Sequence, residues 1–240
     1  MTTKEKIKTY NKLLQKYLDN KEYIKIFRTI CDKEEILSGF ILKMSKGFLL
    51  IQPEYDFILD GYAIIRMDDY DSIRCNKNDK FKKKILKAER ILDTTYGIDK
   101  NIILRSWTSI IHDLRKYDYH VIIESVNKDY LDFFIGSIKR VTKTSVSIHN
   151  YSPTGKLDKK PTTIKLNDIK ILWFGDRYST TFRKYLKESK PKKISAKKVP
   201  VVRIDPALNK YDNVVLFPEK LKKANEKLRK TGFPKLPKKK

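Results

Sequence analysis

The sequence predicts a mainly β fold with flanking helices (α+β): two small β-barrels in tandem, then an extended basic tail. Three observations predict it. Short apolar runs separated by turn residues fill the first 190 positions, the chain repeats itself at an offset of 97, and composition changes abruptly near Lys190. The expected units are 1–97 and 98–190, each a helix plus a small barrel, and a Pro-containing tail over 191–240 with a short amphipathic helix at about 218–231.

Unit 1 opens with Ile7, Tyr10, Leu13, Leu14, Tyr17 and Leu18, the spacing of one apolar helix face. Strands are expected at Tyr23–Ile30, Gly39–Met44, Phe48–Gln52, Tyr62–Met67 and Asp71–Cys75, with turns at Ser45-Lys46-Gly47 and Asp60-Gly61. A basic helix over Asp79–Leu92 closes the unit. Unit 2 opens with Ser106 as N-cap, followed by Trp107, Ile110, Ile111 and Leu114. Its strands are expected at His120–Val126, Phe133–Val141, Ser145–Asn150, Thr162–Leu166 and Ile169–Phe174, before a basic helix over Tyr178–Lys187.

The repeat pairs Gly39 with Gly136, Ile41 with Ile138, Lys43 with Arg140, Met44 with Val141 and Lys46 with Lys143, all at one offset. The same offset pairs Ile24 with Val121, Ile26 with Ile123 and Leu14 with Ile111. Downstream it widens, because Phe81 meets Phe182 at 101. Five short strands closed on themselves remove their edges, which lets so few residues enclose a core.

The run Gly39-Phe-Ile-Leu-Lys-Met-Ser-Lys-Gly-Phe-Leu-Leu-Ile51 is a Gly-initiated bent strand, a turn and an apolar strand. Together with Asp60-Gly-Tyr-Ala-Ile-Ile-Arg-Met-Asp-Asp-Tyr-Asp-Ser-Ile73 it resembles the two sequence motifs of the Sm-like and SH3-like small barrels, about 50 residues per unit. The resemblance implies RNA contact at two turns, with an Asp and an Asn in the first and Arg-Gly in the second. Here those turns read Ser45-Lys46-Gly47 and Asp68-Asp69.

Charge narrows the partners. The 240 residues carry 54 Lys and Arg against 29 Asp and Glu, a formal +25 that favours polyanions. From Ser189 onward 17 basic residues face four acidic ones, so a fifth of the chain holds half the excess, and six of the nine prolines lie there. The 40% hydrophobic content excludes a wholly disordered chain. Met1–Lys6 leads into no apolar stretch of a signal peptide, and no apolar run approaches the ~20 residues of a membrane span. Two cysteines, Cys31 and Cys75, are read as ordinary thiols, and a reducing cytoplasm is the expected compartment.

Catalytic and metal signatures are missing from the sequence. There is no phosphate-cradling Gly-rich loop, no nucleophile elbow, and no zinc spacing among Cys31, Cys75, His112, His120 and His149. Asp68, Asp69 and Asp71 read as a turn rather than a cation site. No enzyme activity, cofactor or metal is expected. The expected function is binding of nucleic acid, RNA or single-stranded DNA, through Lys43, Lys46, Arg140 and Lys143 on the bent strands and turns. Tyr55, His149 and Tyr151 supply rings beside them, since cations track phosphates while rings stack bases.

In the tail, Pro218 starts a helix and Gly232 ends it. Its Lys220, Lys222, Lys223, Lys227, Arg229 and Lys230 suit phosphates, while Leu221, Ala224 and Leu228 form a stripe that suits a protein groove. The alternative function is therefore a protein-interaction adaptor, or a structural component of a large assembly, docking through this tail.

Overall fold

A computed structural model describes residues 3–128, 130–186 and 218–231. The chain divides into two compact units, Met1–Lys190 and Pro191–Lys240. In the first, α1 (Thr3–Asp19) leads into β1 (Tyr23–Ile30), β2 (Lys33–Met44), β3 (Phe48–Tyr55), β4 (Ile58–Leu59), β5 (Tyr62–Arg66) and β6 (Ser72–Arg74). After α2 (Lys77–Ala88), α3 (Ile91–Thr94) and α4 (Trp107–Lys116) come β7 (His120–Asn127), β8 (Tyr130–Val141), β9 (Ser145–Asn150), β10 (Thr162–Lys165), β11 (Ile169–Phe174) and α5 (Arg177–Arg183). In the second unit, α6 covers Pro218–Thr231.

The architecture is mainly β with flanking helices. Eleven antiparallel strands form one sheet that does not close, in the order β10-β9-β8-β7-β11-β5-β3-β2-β1-β6, with β4 on β3. Local chemistry sets the hairpins. Cys31 and Asp32 both have positive φ, as do Asp56 and Phe57, which gives two-residue turns whose twist matches the strands they join. Pairing therefore continues to Ile30 opposite Lys33, and β2 begins six residues before its Gly39. In the same way β8 begins at Tyr130, ahead of the apolar run from Phe133. The basic helix of the first unit stops at Ala88, because Arg90 adopts a left-handed conformation before α3.

The ladder registers repeat. Ile24 opposite Gly39 recurs as Val121 opposite Gly136, and Gly39 opposite Pro53 recurs as Gly136 opposite Asn150, all displaced by 97. The bent strands are bulged at equivalent places, between Ile41 and Lys43 and between Ile138 and Arg140. Ile26 opposite Ile73 recurs as Ile123 opposite Leu172, and Leu49 opposite Ile65 as Val146 opposite Ile164, so the fourth and fifth strands are displaced by 99. Both glycines are required by close approach: a Cβ on Gly39 would lie 2.1 Å from the Gln52 carbonyl oxygen, and one on Gly136 the same distance from that of His149.

Two cores result. Leu14 of α1, Ile24, Ile26, Leu37, Ile41, Leu49, Ile51 and Ile65 fill the first. The second gathers Trp107, Ile110, Ile111 and Leu114 of α4 with Val121, Ile123, Val146 and Ile148, and it also takes Phe48, Leu50 and Ile64 from the first half. That sharing follows from the seam, where β11 pairs with β5 at Leu172–Ile64, Trp173–Ala63 and Phe174–Tyr62. Arg28, 2% exposed, reaches from β1 to β11 by donating to the Lys170 carbonyl at 3.1 Å, with Glu35 at 3.9 Å. Both cysteines are free. Arg74 faces Lys25 while Cys31 lies beyond Ile30, so the thiols sit toward opposite ends of the β1–β6 pair. Among the described residues no helix is long and apolar enough to cross a membrane, and no cluster of His, Cys, Asp and Glu suits a metal.

Candidate nucleic-acid interface

Two turns of the first half and the start of α4 enclose a cleft of about 650 Å³, within the size range of small-molecule pockets. The first turn is tight because Ser45 Oγ accepts from the Gly47 and Phe48 amides at 3.2 and 3.1 Å. The second is pinned to it, since the Met67 amide donates to the Gly47 carbonyl at 3.0 Å. It is held from below by Lys170, whose Nζ lies 2.9 Å from Asp69 Oδ1. The Ser106 cap fixes α4, with its side chain accepting from the Ser109 amide at 3.2 Å. These supports set the cleft walls on rigid elements.

Lys46, Arg66 and Arg105 bring three cations to the cleft, with Asp68 and Asp71 on its rim. Arg66 is aimed by one hydrogen bond, from Nη2 to the Leu166 carbonyl at 2.8 Å, across the seam. Phe48, Tyr70 and Trp107 supply the aromatic lining. Trp107 is 4% exposed and packs edge-on against Phe48 with ring centroids 4.9 Å apart. Its indole N–H has no partner among the described residues, and neither has Asn11 Oδ1 on the same cleft. Both atoms are closed off from solvent, where an unpaired donor or acceptor costs about 1–3 kcal/mol.

The expected binding residues do not all gather here. Lys46 lines the cleft. Lys143 lies exposed in the equivalent turn, whose Thr144 carbonyl accepts from the Leu166 amide, and Leu166 in turn holds Arg66. Arg140 is exposed on the bent strand. Lys43 is committed elsewhere: Nζ donates to Asn101 Oδ1 at 3.1 Å and to the Ile102 carbonyl at 2.8 Å, clamping the segment before α4. Tyr55 is 55% exposed, but it ends β3 while Phe48 begins it, so the two stand seven steps, roughly 23 Å, apart. His149 shares a 2.8 Å hydrogen bond with the Asp158 carbonyl. Tyr151 is 3% exposed and stacks on Phe182 at 5.8 Å. Of the expected residues only Lys46 lines the cleft, and Tyr55, His149 and Tyr151 do not.

On α6, Lys220, Lys222, Lys223 and Arg229 are exposed. The side chains of Lys227, Lys230, Leu221, Ala224 and Leu228 lie outside the described residues. Reading the sequence alone misses Arg66, Arg105, Asn11 and the indole N–H of Trp107 as site groups. Their two local signals are weak: a polar residue ending an apolar strand at Arg66, and a basic residue immediately before a helix cap at Arg105. No protein-family model, no curated protein and no solved structure matches the chain.

Proposed function

We propose that residues 1–190 are two tandem SH3-like or Sm-like small barrels fused along β5 and β11, and that the chain binds single-stranded nucleic acid, RNA or DNA, without catalysing a reaction. The repeated ladder registers and the paired bulges support the duplication. The observation that carries the binding reading is the cleft itself, where Lys46, Arg66 and Arg105 share a lining with Phe48, Tyr70 and Trp107. In this mechanism the cations hold phosphates and release their counterions, while a base rests against the aromatic lining of the cleft. Asp68 and Asp71 admit the amino edge of a base and repel a second phosphate at that rim. Lys143 and the basic tail extend the contact. The free thiols fit a reducing cytoplasm as its compartment.

The test is fluorescence anisotropy of labelled single- and double-stranded RNA and DNA at several salt concentrations. The reading requires preference for single strands and a log K that falls linearly with log salt. Equal binding to duplex and single strand assigns the affinity to net charge alone and removes the cleft from the account. The adaptor reading has one observation in its favour, the formation of α6 over residues that place Leu221, Ala224 and Leu228 at helical spacing.

A further inference from the structure

The turn between β3 and β4 presents apolar side chains where the fold does not need them. Tyr55 and Ile58 face each other across the last pair of the ladder and Phe57 stands at the tip, 55%, 42% and 41% exposed. Alternation puts Glu54 and Leu59 on the other face of the pair, where both are buried. The second repeat shows what the position tolerates. Gly39 opposite Pro53 recurs as Gly136 opposite Asn150, so Tyr55-Asp56-Phe57-Ile58 corresponds to Ser152-Pro153-Thr154-Gly155, four turn residues without a large apolar side chain.

The turn is also strained for its sequence. Asp56 and Phe57 have φ of 46° and 66°, a conformation that Gly, Asn and Asp adopt readily and a bulky ring does not. It is held from beneath. The buried Glu54 carboxylate accepts from the Phe57 amide and from the Tyr23 hydroxyl, the latter at 2.8 Å, and Lys82 Nζ of α2 lies 2.9 Å from Glu54 Oε1. The same ammonium stands 3.5 Å from the centre of the Phe57 ring. Strain held in place this way points to a use for the ring.

Helix α2 lies beside this tip and adds charge. Its Lys82 and Lys83 are paired with Glu54 and Glu22. Lys77, Lys80, Lys84 and Lys87 are exposed, and among the described residues their ammonium groups make no ion pair or hydrogen bond. Phe81, 64% exposed, shares one helix face with Lys77 and Lys84. The acidic residues nearby are Asp56 at the tip and Glu89 at the helix end.

We propose that the β3–β4 tip and the outer face of α2 bind the surface of an anionic lipid bilayer. Phe57, Ile58 and Phe81 enter the interface, and the four unpaired lysines meet the lipid headgroups. Lysines alone would suit any polyanion. The apolar side chains select the bilayer, because a phosphate backbone gives nothing to Ile58, and a projecting tip offers no walled slot for a base. Peripheral attachment uses this combination: apolar side chains reach the acyl boundary while cations gain from the negative leaflet. The surface is separate from the cleft and does not depend on the nucleic-acid reading.

Vesicle co-sedimentation of the full chain tests it, with phosphatidylcholine vesicles and with phosphatidylcholine–phosphatidylserine mixtures. Wild type should bind the mixed vesicles at least about ten-fold more tightly than the neutral ones. Phe57→Asn with Phe81→Ser keeps every cation and relaxes the turn, since Asn adopts the left-handed conformation; affinity for the mixed vesicles should fall about ten-fold or more. Lys77→Gln, Lys80→Gln and Lys84→Gln together keep the rings and should cost roughly 100-fold, at about five-fold per lysine. Insertion is read separately. Brominated acyl chains should quench the indole of Phe81→Trp but not Trp107 and Trp173 of the wild type, which are buried and half-buried. Wild type that ignores both kinds of vesicle overturns the proposal, as does a Phe57→Asn, Phe81→Ser chain that binds as tightly as wild type, or Phe81→Trp without added quenching. A lysine variant that loses affinity for single-stranded oligonucleotide but not for vesicles assigns the face to nucleic acid and overturns it too. The vesicle results stand whether or not the chain binds an oligonucleotide.

Discussion

His120 makes folding stability sensitive to mild acid. It begins β7, is 9% exposed, and lies 5.9 Å from the Tyr151 ring with Nδ1 unpartnered among the described residues. Burial first, and the Arg183 charge second, lower its pKa from 6.5 to about 4. The unfolded chain therefore binds a proton that the folded chain refuses between those values. The stability this group contributes is complete above pH 6.5 and is lost as pH falls toward 4. At 1.36 kcal/mol per pKa unit the full loss is about 3 kcal/mol, and the part lost between pH 7.5 and 5 is about 2 kcal/mol. Its counterpart in the first repeat is Tyr23, a buried ring packed on Phe40, so His120→Phe keeps an aromatic at the position and removes the titration. Urea unfolding of both proteins at pH 7.5 and 5 measures the difference. With a slope of roughly 2 kcal/mol per molar, wild type should lose about 1 M in midpoint beyond any loss in the variant. Parallel losses in the two proteins, or a wild type more stable at pH 5, refute the burial argument. Glu124 provides an internal contrast: desolvation raises its pKa, so its ionisation weakens folding as pH rises, the opposite sign.

Gly39→Ala and Gly136→Ala should each destabilise by about 3 kcal/mol or more, because the new methyl meets a carbonyl oxygen at 2.1 Å and the ladder must open; thermal melts would show it, and a neutral result at either site breaks the equivalence of the two bends. Lys43→Met should cost about 1 kcal/mol of stability through the lost clamp on Asn101 and Ile102 while leaving nucleic-acid affinity within two-fold, the reverse of a phosphate contact. Leu221→Ser with Leu228→Ser keeps every charge of the tail, so nucleic-acid affinity should hold; its loss, together with loss of a protein partner in pull-downs, would favour the adaptor.

Much of this fold is legible locally because strands and turns advertise themselves over a few residues. The alternation of Ile24, Ile26 and Ile30 marks the inner face of β1, and Ser106 followed by Trp107, Ile110, Ile111 and Leu114 marks α4. The hairpin tips are harder to read: Glu34, Glu35 and Asp132 lie on the outer stretches of β2 and β8, where alternation no longer brings burial. The seam is not legible at all. Nothing local in Tyr62–Arg66 says that it pairs with Ile169–Phe174 more than 100 residues away, yet that pairing brings Arg66 beside Leu166 and places Arg105 and Trp107 on the cleft. Trp107 is an apolar helix position in the sequence, and only the fold turns its edge into an unsatisfied donor. Conversely, Tyr55, His149 and Tyr151 follow the basic turns closely in sequence but are carried away by the length of β3 and β9.

The claim that the cleft is the nucleic-acid site is tested most directly by Lys46→Ala with Arg105→Ala, two exposed cations that make none of the hydrogen bonds bracing the cleft. The measurement is single-stranded RNA affinity of the full chain, by anisotropy across a salt series. Losing two phosphate contacts should lower affinity at low salt by at least ten-fold and make the slope of log K against log salt shallower by about 1.4, at ~0.7 per phosphate on a single strand. An unchanged slope and affinity, with the tail's charge still in place, would contradict the account and move binding off the cleft.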